Sequence, residues 1–206
     1  MKQHATGRLA DIGCGAVPLY GAYGDLTDSV TCIDWPSSFY TNKHVDIEHD
    51  LTMPLDLPDA SFDTILCTDV LEHLPRPEVA MADFARLLAP RGKLIIGVPF
   101  LYGLHEEPHD HHRFTHFKLH DLAKSNALEV VTLETLGGPV EVVGDMVARL
   151  LASRGRSGRA LAAAEQEAVI WLGRQLPASL RSDMDWKFPS GYLMVAQKPA
   201  QRPLQD

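Results

Sequence analysis

Apolar residues along this chain gather into short, compact runs at Arg8–Ile12, Val30–Ile33, Val45–Ile47, Phe62–Cys67 and Lys93–Pro99. Such runs predict strands, and the unalternated Leu-Ile-Ile-Gly-Val of the last predicts a parallel strand buried on both faces. Between them the spacing turns helical. Ala80, Phe84, Leu87 and Leu88 fall on one face of a helix opened by Pro75 and Pro77. That helix is expected to end near Pro90-Arg91-Gly92, with glycine as its left-handed stop. Ala16–Tyr20 predicts a short helix with Pro18 in its first turn. Pro36-Ser37-Ser38 gives only a weak helical signal, and 54–62, rich in Pro, Asp and Ser, reads as a loop.

The second half continues in the same idiom. A helix is expected over 117–126, with Leu119, Leu122 and Ala123 inward and Thr115 or His116 near its start. A strand over 128–136 ends at Gly137-Gly138-Pro139. Two amphipathic helices, 140–152 and 160–176, are expected on either side of a connection at 153–158. The first carries Val142, Val143, Met146, Val147, Leu150 and Leu151 as its apolar stripe. Tyr192–Ala196 reads as the closing strand, and the tail from Pro199 is expected to be disordered. Repeated strand–helix–strand units with short connections define an α/β class with a parallel sheet covered on both faces.

With 206 residues, 45% of them hydrophobic and 22% charged, the chain has the composition of one ordinary globular α/β domain. A net charge of −8 argues against a broad nucleic-acid footprint. Cys14, Cys32 and Cys67 are far apart, each in or beside an apolar run, which suits reduced, buried thiols and offers no metal-type spacing. The first residues lack the apolar core of a signal peptide, and no apolar run reaches membrane-spanning length; a cytoplasmic protein is the expectation.

The candidate chemistry lies at the carboxyl ends of the predicted strands. The first strand runs into Asp11-Ile-Gly13-Cys14-Gly15, where paired glycines suit a sharp turn against a ligand. The second ends at Asp34-Trp35, and an acid 21 positions after Gly13 is placed to accept hydrogen bonds from ribose hydroxyls. Asp50-Leu51 and Thr68-Asp69 follow the next two strands. Four strand ends thus point at one pocket, where open α/β sheets bind their ligands.

These residues resemble the class I S-adenosylmethionine-dependent methyltransferases, specifically the group called methyltransferase type 11. Asp11-Ile-Gly-Cys-Gly15 resembles the family's first motif, Ile33-Asp34 its ribose-binding acid and Asp50-Leu51 its adenine-contacting pair. Leu57-Pro58, Ser61-Phe62-Asp63 and Val70-Leu71-Glu72-His73-Leu74 resemble the next block, and Leu87–Leu94 its turn into the fifth strand. The resemblance covers about 8–136 and the last strand. It implies a Rossmann-like, doubly wound seven-stranded sheet, mostly parallel with an antiparallel last strand. Two departures accompany it. Only seven residues precede Arg8, where the family usually has one or two helices, and about 50 residues separate the last two strands. The whole chain is therefore expected to be one methyltransferase domain, with 139–190 as a helical insertion serving as a lid, as a homodimer contact or as padding of the sheet.

The resemblance implies S-adenosylmethionine as cofactor and a small-molecule methyl acceptor at oxygen or nitrogen, such as a sugar-containing or secondary metabolite. Gly13 and Gly15 would lie under the methionine part, with Asp11 and Cys14 in the same turn. Asp34 would take the ribose diol, Trp35 the adenine face, Asp50 the adenine amino group and Leu51 the ring. Thr68 would meet the methionine amino end through its backbone, and Asp69 is counted with it among the cofactor-binding residues. His73, at the mouth, is a base, a substrate contact or a helix-start residue. Six histidines, at 105, 109, 111, 112, 116 and 120, crowd one connection. Their spacing would suit a metal, yet His105-x-x-Pro108-x-Asp110-x-x-Arg113 resembles a loop of one branch of the family in which the other histidines are not needed, and no metal is expected. In that loop His105 is the leading base, while Asp110 and Arg113 either bind substrate or form an ion pair fixing the loop. Two rival readings stand beside this one: a non-catalytic cofactor-binding partner or sensor subunit, and a nicotinamide-dependent oxidoreductase. The third glycine of the dinucleotide motif is missing after Gly15, which weighs against the latter.

Overall fold

Seven strands form the sheet, and the order in which they pair sets the place of the site. They are β1 (Arg8–Ile12), β2 (Ser29–Asp34), β3 (Ile47–Glu48), β4 (Phe62–Thr68), β5 (Leu88–Pro99), β6 (Glu129–Leu136) and β7 (Gly191–Gln197), in the spatial order β3-β2-β1-β4-β5-β7-β6. The sheet is Rossmann-like and mostly parallel, with an antiparallel last pair, as expected. The chain works outward from β1 to β3 and then returns to lay β4 against the other side of β1. This reversal opens a crevice beyond the carboxyl ends of β1 and β4, where such sheets take their ligands. The computed structural model describes residues 3–36, 43–175, 177 and 184–200. The weak helical signal at Ser37-Ser38 and the end of the tail lie outside them.

Two compact units make up the chain: residues 1–98, 106–133 and 193–206, and residues 99–105 with 134–192. In the first, Leu9, Tyr23, Leu66, Ile95 and Val195 pack into one buried cluster. Helix α1 (Tyr20–Tyr23) begins later than the sequence suggests, because Val17 takes a positive φ of 54° and bends the chain ahead of Pro18. Helix α2 (Pro77–Leu87) has Pro77 in its first turn and buries Ala80, Met81, Phe84 and Leu87.

Gly92 does not end this helix. Chain passes from Leu87 straight into β5, and the left-handed residue is Arg91 (φ 65°), within a bulge that shifts the pairing from Phe62–Leu88 to Thr64–Lys93. The last carbonyls of α2 find a distant donor instead. The Lys198 ammonium lies 2.7 Å from the carbonyls of both Ala85 and Leu88, while Lys198 and residues 91–92 exchange backbone hydrogen bonds. Helix α3 (His116–Ser125) starts at Thr115, whose hydroxyl accepts from the Lys118 N–H.

The second unit is dominated by α4 (Pro139–Ala152) and α5 (Gly155–Gln175), packed on each other. The expected connection at 153–158 shrinks to two residues. Gly158 is needed inside α5 because a Cβ there would stand 2.0 Å from the Leu151 carbonyl, so glycine here marks close packing and not a loop. The apolar stripe of α4 divides: Val142 is buried with Gly144 and Ala148, whereas Val143, Met146 and Leu150 are exposed by 60% or more. Among the described residues, no helix is long and apolar enough to cross a membrane.

Candidate cofactor cleft

The crevice beyond β1 and β4 is a cleft of about 650 Å³, entirely within the first unit. Its floor is the turn after β1. Gly13 (φ 70°) and Gly15 (φ 49°) occupy the left-handed region, and the Gly13 N–H donates to the Ile33 carbonyl at 2.8 Å. A Cβ at Gly13 would lie 2.1 Å from Val70 Cγ2, so the turn is closed by contact as well as by conformation. Asp34 holds the other side. One carboxylate oxygen accepts from the Gly15 N–H at 2.8 Å and the other from the Trp35 N–H at 2.7 Å.

Asp11 is buried beneath the turn and accepts a hydrogen bond from the Tyr23 hydroxyl. Burial pushes the Asp11 carboxyl pKa up, against the pull of that hydrogen bond, and burial beside Asp11 pushes the Tyr23 phenol up as well. Asp50 caps a tight turn by accepting from the Thr52 N–H at 2.9 Å. Asp69 adopts a positive φ of 55° while its N–H donates to the Gly97 carbonyl.

All ten residues expected to hold the cofactor line this one cleft: Asp11, Gly13, Cys14, Gly15, Asp34, Trp35, Asp50, Leu51, Thr68 and Asp69. His73 lines it too. His49, Glu106 and His109 also line it, and sequence reasoning missed them in this role. Among the described residues the wall contains five carboxylates, those of Asp11, Asp34, Asp50, Asp69 and Glu106, and no lysine or arginine. That donor set suits a ligand that is cationic and rich in N–H and O–H donors, with Trp35 and Leu51 for a flat ring. S-adenosylmethionine fits it. A dinucleotide does not, because its pyrophosphate needs N–H donors at a helix N-terminus or positive charge, and α1 starts five residues beyond Gly15.

Beyond β4 a single 3-10 turn, Leu71–His73, forms the mouth. His73 Nδ1 lies 3.2 Å from the His109 carbonyl, and its Nε2 lies 3.6 Å from Glu106 Oε2 and 3.8 Å from Glu72 Oε1. The Glu72 side chain is fully buried, and desolvation pushes its pKa up to about 8. Its backbone carbonyl accepts from the N–H groups of both His111 and His112, fastening the histidine-rich turn to the mouth. The His109 ring meets Trp35 edge-on at 5.3 Å.

Asp110 and Arg113 stand next to this turn and are engaged with each other. The guanidinium reaches both carboxylate oxygens, at 2.5 and 2.7 Å, and the His112 carbonyl at 2.7 Å. The Asp110 side chain is 2% exposed. His105 belongs to the second unit, where Nδ1 lies 3.3 Å from the Gly103 carbonyl and the ring meets Tyr102 edge-on.

Comparison with known proteins agrees with this geometry. Residues 10–96 match the family described as a methyltransferase domain. Ubiquinone biosynthesis O-methyltransferases from Xanthomonas oryzae pv. oryzae and Xanthomonas axonopodis pv. citri are 31% and 32% identical over 102 residues. Those matches cover 45% of this chain and 43% of each relative, so the chain spans less than half the length of the curated relatives it matches. A SAM dependent methyltransferase from Archaeoglobus fulgidus shares the fold with a TM-score of 0.58 at 16% identity, over 96% of this chain and 87% of that one. Phosphoethanolamine N-methyltransferase 2 of Haemonchus contortus, solved with S-adenosyl-L-methionine, has a TM-score of 0.57 at 15% identity, over 95% and 49% of the two chains. The [4+2]-cyclase SpnF, at 0.62 and 17% over 96% and 77%, has the same fold under a different activity. In sequence and in fold the chain is similar to S-adenosylmethionine-dependent methyltransferases of class I. The likeness to a methyltransferase domain is carried by residues 10–96, the segment that runs from Ala10 in β1 to Ile96 in β5.

Proposed function

We propose that this chain methylates an oxygen of a small molecule and that His73 receives the acceptor's proton. The reading rests on one observation: His73 shares a cleft with the ten residues expected to hold the cofactor, and among the described residues that cleft's lysine, arginine, aspartate and glutamate side chains are all acidic. S-adenosylmethionine, when bound, supplies a methyl group on a positively charged sulfur that departs as a neutral thioether. Asp34 would hold the ribose diol and Asp50 the adenine amino group, while Trp35 and Leu51 would sandwich the ring. Thr68 and Asp69 would hold the methionine ammonium. The tight turn at Gly13 and Gly15 lets backbone approach where any side chain would intrude. His73 stands at the mouth, where an acceptor hydroxyl must arrive, and a base there removes the proton as the oxygen becomes a nucleophile. Oxygen is favoured over nitrogen because the curated relatives are named O-methyltransferases.

Calorimetric titration with S-adenosylmethionine and with NAD separates this reading from the oxidoreductase; binding of the first and not the second is expected. Asp34→Ala should weaken S-adenosylmethionine binding at least tenfold, since hydrogen bonds to a charged group contribute about 1.5–3 kcal/mol. Methyl transfer to a panel of phenols, catechols, sugars and amines then identifies the acceptor atom. A chain that binds the cofactor and methylates none of them is a binding subunit and not an enzyme.

A further inference from the structure

We propose that Glu106 is the positioning residue that makes His73 an effective proton acceptor, compensating the cation formed when Nε2 takes the proton. The assignment rests on the oxygen-methylating reading above and extends it to a residue outside every recognised motif.

The hydrogen-bond partner settles the tautomer. A backbone carbonyl only accepts, so the 3.2 Å contact between His73 Nδ1 and the His109 carbonyl places the ring hydrogen on Nδ1. A neutral imidazole then keeps its basic lone pair on Nε2. Two carboxyl groups lie within 4 Å of that atom, Glu106 at 3.6 Å and Glu72 at 3.8 Å. They differ in kind. Glu72 is fully buried with its pKa pushed to about 8, so it is mostly neutral at pH 7. Glu106 is 42% exposed and lines the cleft. The charge that compensates a protonated His73 is therefore that of Glu106.

Backbone supports the same assignment. Glu106 has a φ of 52°, in the left-handed region where a glycine would sit with less strain. The turn keeps an acid there nonetheless, and fastens it at several points. The Glu106 carbonyl accepts from the His109 N–H at 3.1 Å, the Glu72 carbonyl holds His111 and His112, and Arg113 clamps Asp110. Strain maintained beside a cleft marks a side chain whose direction matters.

During turnover the acceptor O–H proton moves to Nε2 while the oxygen takes the methyl carbon, and Glu106 neither gains nor loses a bond. Removing its charge should slow only acceptors that need a base. The test is Glu106→Gln, assayed with catechol and with 4-nitrocatechol, which is already ionised at neutral pH. S-adenosylmethionine affinity by calorimetry should stay within about threefold of wild type. For catechol, kcat should fall roughly tenfold or more with KM nearly unchanged; for 4-nitrocatechol, kcat should change less than about twofold. Glu106→Asp should recover part of the catechol rate, and Glu106→Gln should add nothing to His73→Ala. Equal losses on both acceptors overturn the assignment, as do an unchanged catechol rate, lost cofactor affinity or a rate that a chelator abolishes. A wild-type chain that methylates neither hydroxyl overturns the oxygen reading itself and this assignment with it, and is recognised because the wild type is already inert.

Discussion

Two turns border the cleft, and they are built by opposite means. The turn at 12–15 is held by what its residues lack: glycines at positive φ, with no Cβ to meet Val70, and backbone N–H groups given to Ile33 and Asp34. The turn at 106–113 is held by what its residues carry. It ties itself to the Glu72 carbonyl and closes with the Asp110–Arg113 pair, and these ties hold it against the strain of an acid at positive φ. The first kind of turn depends on shape and tolerates no added atom. The second depends on charge and tolerates no lost partner. Both face one cavity, so substitutions of opposite chemistry should damage it.

The largest effect is expected at Arg113. Arg113→Met leaves the Asp110 carboxylate, 2% exposed, without its guanidinium, and stranding a buried charge costs about 3–5 kcal/mol. Chemical denaturation should show that loss, and Asp110→Asn combined with Arg113→Met should cost clearly less than Arg113→Met alone. If the double variant is no better, the second turn is not held by charge.

Next comes Gly13→Ala, expected to cost about 2–4 kcal/mol from left-handed strain and the clash with Val70. Val70→Ala should restore part of this stability and of S-adenosylmethionine binding. Absence of any rescue would mean that conformation alone, and not close approach, closes the first turn.

Glu72, whose carbonyl fastens the second turn, predicts a pH dependence. Its folded pKa of about 8 lies above its ordinary value of 4.5, so the folded state holds a proton that the unfolded state releases. The resulting stability is complete below about pH 4.5 and is lost as pH rises through 8. Glu72→Gln, which keeps the neutral shape, should flatten the decline between pH 5 and 8. At pH 7 it should stabilise the fold by roughly 1–3 kcal/mol. A wild-type stability curve with the same slope as the variant's would remove Glu72 from this role.

The smallest effect inverts the glycine argument. Glu106→Gly relieves a positive φ and should raise stability by about 0.5–1 kcal/mol, even as it removes the carboxylate beside His73. Thermal denaturation that shows destabilisation instead would mean the side chain, and not the backbone, supports that turn.

This contrast also explains what could be read from the chain before its structure. Glycines at 13 and 15, buried strands and acids at strand ends are local signals, and they were enough to predict the fold and to name ten residues that line one cleft. Gly92 misled because the same residue type serves helix ends and close-packed bulges, and only the pairing of β4 with β5 distinguishes them. Gly158 misled in the same way, since its reason lies seven residues back at the Leu151 carbonyl. Helical spacing identified the stripe of α4 without saying which of its edges is covered, and the covered edge is the one of small residues. Glu106 carried no signal for a role beside His73, because an acid at positive φ looks like any other acid in sequence. His105 and Asp110–Arg113 were recognised as a group, but their neighbours are set by tertiary contacts that spacing does not record.

Lys198 joins distant stretches of polypeptide in time as well as in space. Its ammonium finishes α2, an element 110 residues upstream, by holding the Ala85 and Leu88 carbonyls. A chain emerging from the ribosome therefore leaves that helix end open until β7 has been made and docked. Truncations ending just before and just after Lys198 should differ sharply in protease resistance near residue 88, although every residue of α2 is present in both.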